Sequence, residues 1–174
     1  MRKIAVLFLA LTVTAGVFGF TKDLLAADKA KIGYIDISGI FDEYDKTKTQ
    51  QDILSTESEG KKNERQKMVD GIRNMKNELE LLSDKQRDKK QQQINDEIRK
   101  LQDFDREARV VLGRKRDNMM RDILKEIDAV VKDYANKNSY TLIIKVNALA
   151  YGQEQDDITK EILNTLNSQY RRKK

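Results

Sequence analysis

The residues best equipped for chemistry in this chain are cations and carboxylates. Lys85, Arg87, Lys89, Lys90, Arg99 and Lys100 cluster with Asp84, Asp88, Asp96 and Glu97. Charge at that density can steer acidic partners by long-range attraction, although charge runs on helices are usually no more than solvated faces. No stronger chemistry is on offer. The 174 residues include no cysteine and no histidine, which removes thiol nucleophiles, imidazole acid–base catalysis, disulfides and the two side chains that bind zinc best. No GxxxxGK[ST] phosphate loop occurs, so an ATP-driven cycle has no visible site. The expectation is a passive protein, not an enzyme, with no cofactor and no catalytic or metal-ligating residues. Met68, Met75, Met119 and Met120 add adaptable apolar surface, the first three at positions suited to packing between helices.

The charged cluster must sit on long helices. Charged residues make up 36% of the chain against 39% hydrophobic, thin for one deep core, and proline is absent, so nothing forbids helices far beyond three or four turns. Ile40, Phe41 and Tyr44 open a helical pattern from Ser38. Met68, Ile72, Met75, Leu79 and Leu82 then follow as a heptad seam. Ser83 with Gln86 predicts a capping box and a new helix start, with the hydroxyl and the amide satisfying free backbone N–H groups. The second helix carries Ile94, Ile98, Leu101, Phe104, Ala108, Leu112, Met119, Ile123, Ile127, Val130 and Tyr134, and runs to about Asn136.

Facing residues in an antiparallel hairpin share a constant index sum. Leu79 with Ile94, Met75 with Ile98, Ile72 with Leu101 and Leu54 with Met119 meet that test. At 1.5 Å per residue, an arm of about 45 residues would reach roughly 65 Å and project into solvent. Between Ser55 and Lys67 the first helix has no apolar residue, so Ser58, Lys61 and Arg65, set opposite Lys115, Leu112 and Ala108, predict a weak grip in mid-arm. Gly60 and Gly113 fall at that same level, which predicts a flexible joint unless both are simply surface glycines.

Residues 31–37 read as a strand, Tyr140–Lys145 as another and Ala148–Tyr151 as a shorter one. The hairpin brings these distant segments together at its base. Asp156 or Asp157 can cap a last helix bearing Ile158, Ile162, Leu163, Leu166 and Tyr170 on one face, and Arg171–Lys174 reads as a solvated charge run. Strands this short bury little and leave open edges, so self-association is expected through Ile32, Tyr34, Ile35, Leu142, Ile143, Ile144 and Tyr151.

The first residues read as an address. Arg2 and Lys3 precede an uncharged apolar run from Ile4 to Phe20, the pattern of a secretory signal peptide over residues 1–27, cut after Gly19 or after Ala27. An uncleaved anchor is the other reading, and both export the remainder. The expected organisation is therefore 1–27 as signal, 28–52 with 120–174 as an oligomerisation body, and 53–119 as a coiled-coil arm turning near 83–84.

Taken in order, these parts resemble the Skp/OmpH family of periplasmic chaperones. The resemblance rests on Lys31-Ile-Gly-Tyr-Ile-Asp36 with Ile40-Phe41, on Tyr140-Thr-Leu-Ile-Ile144 with Ala150-Tyr151, and on the run from Asp157 to Asn167, with a proline-free Lys/Gln/Glu-rich hairpin between them. It implies a mainly α fold with a small β body, in which strands of three chains form a trimeric β core from which helical hairpins hang around a cavity. It also implies an ATP-independent holdase in the periplasm of a Gram-negative bacterium, gripping unfolded outer-membrane proteins, with contact to lipid or lipopolysaccharide left open. Lys145 and the basic tail depart from the family pattern and bear on substrate preference. Two rivals stand beside this reading. A membrane-anchored envelope spacer would retain residues 4–20, and a nucleic-acid-binding coiled coil is suggested by the pI near 9.2. Against the latter stand the signal peptide and the interspersed acids, 29 Asp and Glu against 34 Lys and Arg where a basic stripe would be needed, so no nucleic-acid partner is expected.

Overall fold

A computed structural model of the chain describes residues 30–173; the segment read as signal peptide, with both cleavage positions, and Lys174 lie outside the described residues. The elements run β1 (Ile32–Ile35), α1 (Ile37–Glu43), α2 (Asp45–Glu80), α3 (Asp84–Lys137), β2 (Leu142–Lys145) and α4 (Thr159–Lys173). Among the described residues the chain is mostly helical with one small sheet, as its patterning predicts.

Helices α2 and α3, of 36 and 54 residues, form the antiparallel hairpin and extend about 54 and about 81 Å. The seam is the buried stripe. Ile72 and Ile94 are buried, and Met68, Met75, Leu79 and Leu82 on α2 with Ile98, Leu101, Phe104, Ala108, Leu112 and Met119 on α3 are half-buried. Cross-arm ion pairs Lys46–Glu126, Glu57–Lys115, Arg65–Asp105 and Glu78–Lys90 mark the antiparallel register from root to tip.

At the root, β1 pairs in parallel with β2, Ile32 opposite Leu142 and Tyr34 opposite Ile144. Parallel strands require a long crossover, and the whole arm serves as that connection. One core gathers Ile35 from β1, Ile40 from α1, Tyr44, the Ile123, Ile127 and Val130 face of α3, and Ile158, Ile162 and Leu166. Thus α3 runs unbroken from arm into body. Close packing at the sheet explains Gly152: a Cβ there would lie 2.6 Å from both the Tyr34 ring and the Leu149 side chain.

Four expectations need correction. The helical pattern from Ser38 is not one helix, because Tyr44 adopts an extended conformation (φ −65°, ψ 125°), caps α1 with its N–H on Ile40 O, and buries its ring edge-on against Tyr170. Ala148–Tyr151 is not a strand. A 3-10 turn over Val146–Ala148, closed by Leu149 N–H to Val146 O at 3.1 Å, takes the chain away from the sheet, which has two strands. Ser83 does occupy the N-cap of α3, but its hydroxyl donates to the Gln86 side-chain oxygen at 2.9 Å and caps no backbone N–H. Arg171 is not solvated charge alone, since it forms an ion pair with Asp45.

The last helix starts as expected from Asp157, whose carboxylate accepts from the Thr159 N–H at 2.9 Å. A parallel bridge between Tyr34 and Asp157, with Ile158 N–H donating to Tyr34 O at 3.0 Å, covers the outer edge of β1. Among the described residues, the outer edge of β2 has no such cover.

Candidate functional site

Two surfaces could act on other molecules: the arm and the open face of the sheet. At the arm's tip, the six cations singled out in the sequence do not share one role. Arg87 Nε donates to Leu82 O at 3.0 Å and its Nη2 to Glu80 O at 3.5 Å, so this side chain satisfies carbonyls left free where α2 ends. Lys90 pairs across the arm with Glu78. Arg99 lies 3.8 Å from Asp96 one turn earlier on its own helix. Lys100 donates to Glu97 at 2.6 Å, and that hydrogen bond with its charge raises the Lys100 pKa. Lys85 and Lys89 are exposed and form no ion pair among the described residues. They are the cations at the tip left available to a partner.

Sequence reasoning missed Leu81. It sits in the turn at 87% exposure, immediately before the last seam residue, Leu82. Its signal was a leucine one position off the heptad, where an apolar side chain has no partner helix to meet.

In the mid-arm, contacts between α2 and α3 run through charged side chains. Lys61 Nζ lies 4.9 Å from the Phe104 ring centroid, Arg65 Nε donates to Asp105 at 2.9 Å, and Lys115 Nζ donates to Glu57 at 2.6 Å. Long flexible stems reach the nearest ring or carboxylate instead of the residue directly opposite. Each such exposed pair contributes about 1 kcal/mol or less, so the zip here is polar and shallow. Gly60 and Gly113 both lie inside continuous helix, and a Cβ at either would meet nothing within 4 Å.

Apolar surface remains open along the arm. Val110, Met120 and Leu124 are exposed and, with Gly113, lie at helical spacing on a flank of α3 turned away from the seam. Near the root, Ile53, Leu54 and Met119 floor a shallow groove rimmed by Glu57, Lys115 and Asp122. Of this second stripe, sequence reasoning found Met120 and missed Val110 and Leu124, whose signal is another i, i+3, i+4 series beside the first.

On the sheet, the paired Ile32 and Leu142 are exposed at 48% and 51%, and Tyr151 at 80%. Tyr34, Ile143 and Ile144 are half-buried. Ile35 departs from the expected group: strand alternation turns it into the chain's own core, where it is 3% exposed, so it offers nothing to another chain. Burial first, then Asp157, Glu154 and Asp156, raise the Tyr34 pKa. Among the described residues, no cluster of three or more carboxylates could hold a metal ion, and no helix is long and apolar enough to cross a membrane.

The described residues offer surfaces for contact along the arm and across the sheet. The family model for outer membrane protein (OmpH-like) matches residues 31–166. The chaperone protein Skp of Yersinia enterocolitica is 27% identical over 138 residues, covering 77% of this chain and 84% of that protein. A solved Caulobacter crescentus structure, described as an outer membrane chaperone (OmpH-like), superposes with a TM-score of 0.75 at 9% identity over 80% of this chain and 85% of its own, a likeness of fold.

Proposed function

The chain belongs to the OmpH-like outer membrane protein family, and on that premise we propose that it is a periplasmic holdase, gripping unfolded outer-membrane proteins without ATP until they reach the outer membrane. The observation that carries this reading is the arm. Apolar side chains (Ile53, Val110, Met120, Leu124) are dispersed along its exposed flanks among charged ones, and the groove over Ile53, Leu54 and Met119 is shallow and open. Many weak contacts on such a surface hold diverse sequences without locking any of them. Lys85 and Lys89 at the tip are the cations fitted to draw in acidic segments, and Gly60 with Gly113 would let the arm adapt to their bulk.

The body, residues 28–52 with 120–174, is where copies would join, leaving 53–119 as the arm. We infer a homotrimer from the apolar sheet face of Ile32, Tyr34, Leu142 and Ile144, from Tyr151, and from the uncovered edge of β2. Three arms around one axis would enclose a cavity. An exported protein of a Gram-negative envelope, with its leader removed and its arms free to meet lipid or lipopolysaccharide, is the setting that this reading requires.

One experiment tests both parts. The mature protein is weighed by native mass spectrometry alone and with a urea-diluted β-barrel membrane protein, while light scattering follows aggregation without nucleotide. The expected result is a three-subunit species that binds the client and suppresses scattering. Scattering that rises at the same rate with and without the protein would overturn the holdase, and a single-subunit mass at working concentration would overturn the trimer.

A further inference from the structure

We propose that the C-terminal helix is a latch on the root of the arm, with Asn167 and Arg171 as positioning residues that hold the first turn of α2 against the body. Helix α2 begins abruptly after the extended Tyr44, which supplies no side-chain cap. Its first internal backbone bond is Lys48 N–H to Tyr44 O at 3.1 Å, so the amides before it need outside partners. Asn167 provides one: its Oδ1 accepts from the Asp45 N–H at 2.9 Å, a helix cap supplied from another element. One turn further along α4, Arg171 holds the Asp45 carboxylate through Nε at 2.9 Å and Nη2 at 2.8 Å. That carboxylate is itself favoured at a helix N-terminus. Between them, the Tyr170 ring meets the Tyr44 ring edge-on with centroids 6.0 Å apart.

Positions 167, 170 and 171 share one face of α4, while Ile162 and Leu166 are fully buried in the body core. The helix is therefore a splint, fixed on one face and gripping α2 with the other. The grip matters because the next turns of α2 have little apolar hold of their own. After Leu54 there is no apolar side chain until Met68, so the stretch between is held to α3 by Glu57–Lys115, Arg65–Asp105 and Lys61 over Phe104. Upper α2 is pinned at its root by the latch together with the Lys46–Glu126 pair, and at its other end by the distal seam. Releasing the latch lets α2 part from α3 there and uncovers Leu54, Phe104, Leu112 and Met119, all half-buried when the arm is closed. The latch thus governs how much apolar surface the upper arm shows. This extends the holdase reading but is tested on the free protein, so its fate is separable from that of client binding.

The test is hydrogen exchange by mass spectrometry on the full mature protein with Asn167→Ala and, separately, Arg171→Ala. Arg171 lies at the exposed end of α4, so that variant keeps the question answerable if the other folds poorly. Asn167→Ala is expected to raise exchange over residues 45–66 about fivefold, the factor given by loss of an ordinary cap, with 68–82, 123–130 and 158–166 unchanged. Arg171→Ala gives a smaller rise over the same residues. Added salt closes its gap from wild type, because the ion pair is screened, while the Asn167→Ala gap persists. Unchanged exchange over 45–66 in both variants would overturn the latch. So would an equal rise at 123–130 and 158–166, which would mark general loosening of the body.

Discussion

Replacing Ile94 with alanine should open the outer half of the arm and leave the body intact. Ile94 is 1% exposed and, with Ile72, makes up the buried apolar core of the arm beyond its polar middle. The substitution removes about three carbons, worth about 0.8 kcal/mol each on transfer from water, or about 2.4 kcal/mol before any cavity term. Losses at such sites run from about 2 to about 5 kcal/mol, and a two-helix arm can collapse around the void, so about 2.5 kcal/mol is the working figure. If the outer arm opens as a local unit, that is about a 60-fold rise in amide exchange. The rise should be confined to residues 68–82 and 91–101. Leu81→Ala, at a side chain 87% exposed, is the matched control and should change stability by less than about 0.5 kcal/mol. An outer-arm rise below about threefold would refute the reasoning, because the seam would not then be what holds the hairpin. An equal rise at 123–130 would refute it too, since arm and body would be one cooperative unit.

Other consequences concern the root, the middle and the sheet. Burial first, then the Glu126 carboxylate, hold the Tyr44 pKa above its ordinary 10.0, and burial raises Tyr140 in the same direction. The folded chain therefore keeps phenol protons that the unfolded chain releases, so this stability is intact below about pH 10 and lost as pH climbs beyond it. Urea midpoints from about pH 8 to 11 should show that decline, and Tyr44→Phe should make it shallower; an unaltered slope would contradict the assignment. The Gly60→Ala, Gly113→Ala double variant has room for both methyl groups and should stiffen each helix by about 1 kcal/mol. Arm-to-arm distance distributions from paired spin labels should narrow, and unchanged widths would remove the joint. Leu142→Lys places a charge on an exposed strand position. It should leave the subunit's fold within about 0.5 kcal/mol of wild type while reducing the native mass to one subunit, and a retained trimer would move the interface elsewhere.

What could be read from the sequence was what is periodic. The seam from Met68 to Leu82 and its partner from Ile94 to Tyr134 are legible because a helix packed along its length repeats one requirement every three or four residues. The break at Tyr44 was not legible. Ile40, Phe41 and Tyr44 keep helical spacing across it, while what favours the break is tertiary: Tyr44 packs in the core and against Tyr170, and Asp45 is held by Asn167 and Arg171, all three more than a hundred residues away. Ala148–Tyr151 misled for the opposite reason: alternation over four residues is too short a signal when no strand lies beside it. At the tip the cluster was visible but the division of labour was not. Arg87 is committed to carbonyls at the end of α2, a role set by the angle of the turn and absent from any spacing rule.

The topology keeps the packing of the arm separate from that of the body. Since β1 and β2 pair directly and in parallel, the hairpin is an excursion between two strands already held together, and the core of Ile35, Ile40, Ile127 and Ile162 closes beneath it. The two helices of the excursion are not equivalent. Helix α3 passes through the root without interruption and carries Ile123, Ile127 and Val130 into the core, so it fixes the direction of the arm. Helix α2 starts only after the break at Tyr44 and has a polar middle, so local opening on that side costs few buried apolar contacts. On the holdase reading proposed above, rigidity in one strut and compliance in the other would let a surface follow the shape of a bound chain while its own attachment stays fixed. A compact domain with a single core could not separate those two demands, because opening its surface would open its core.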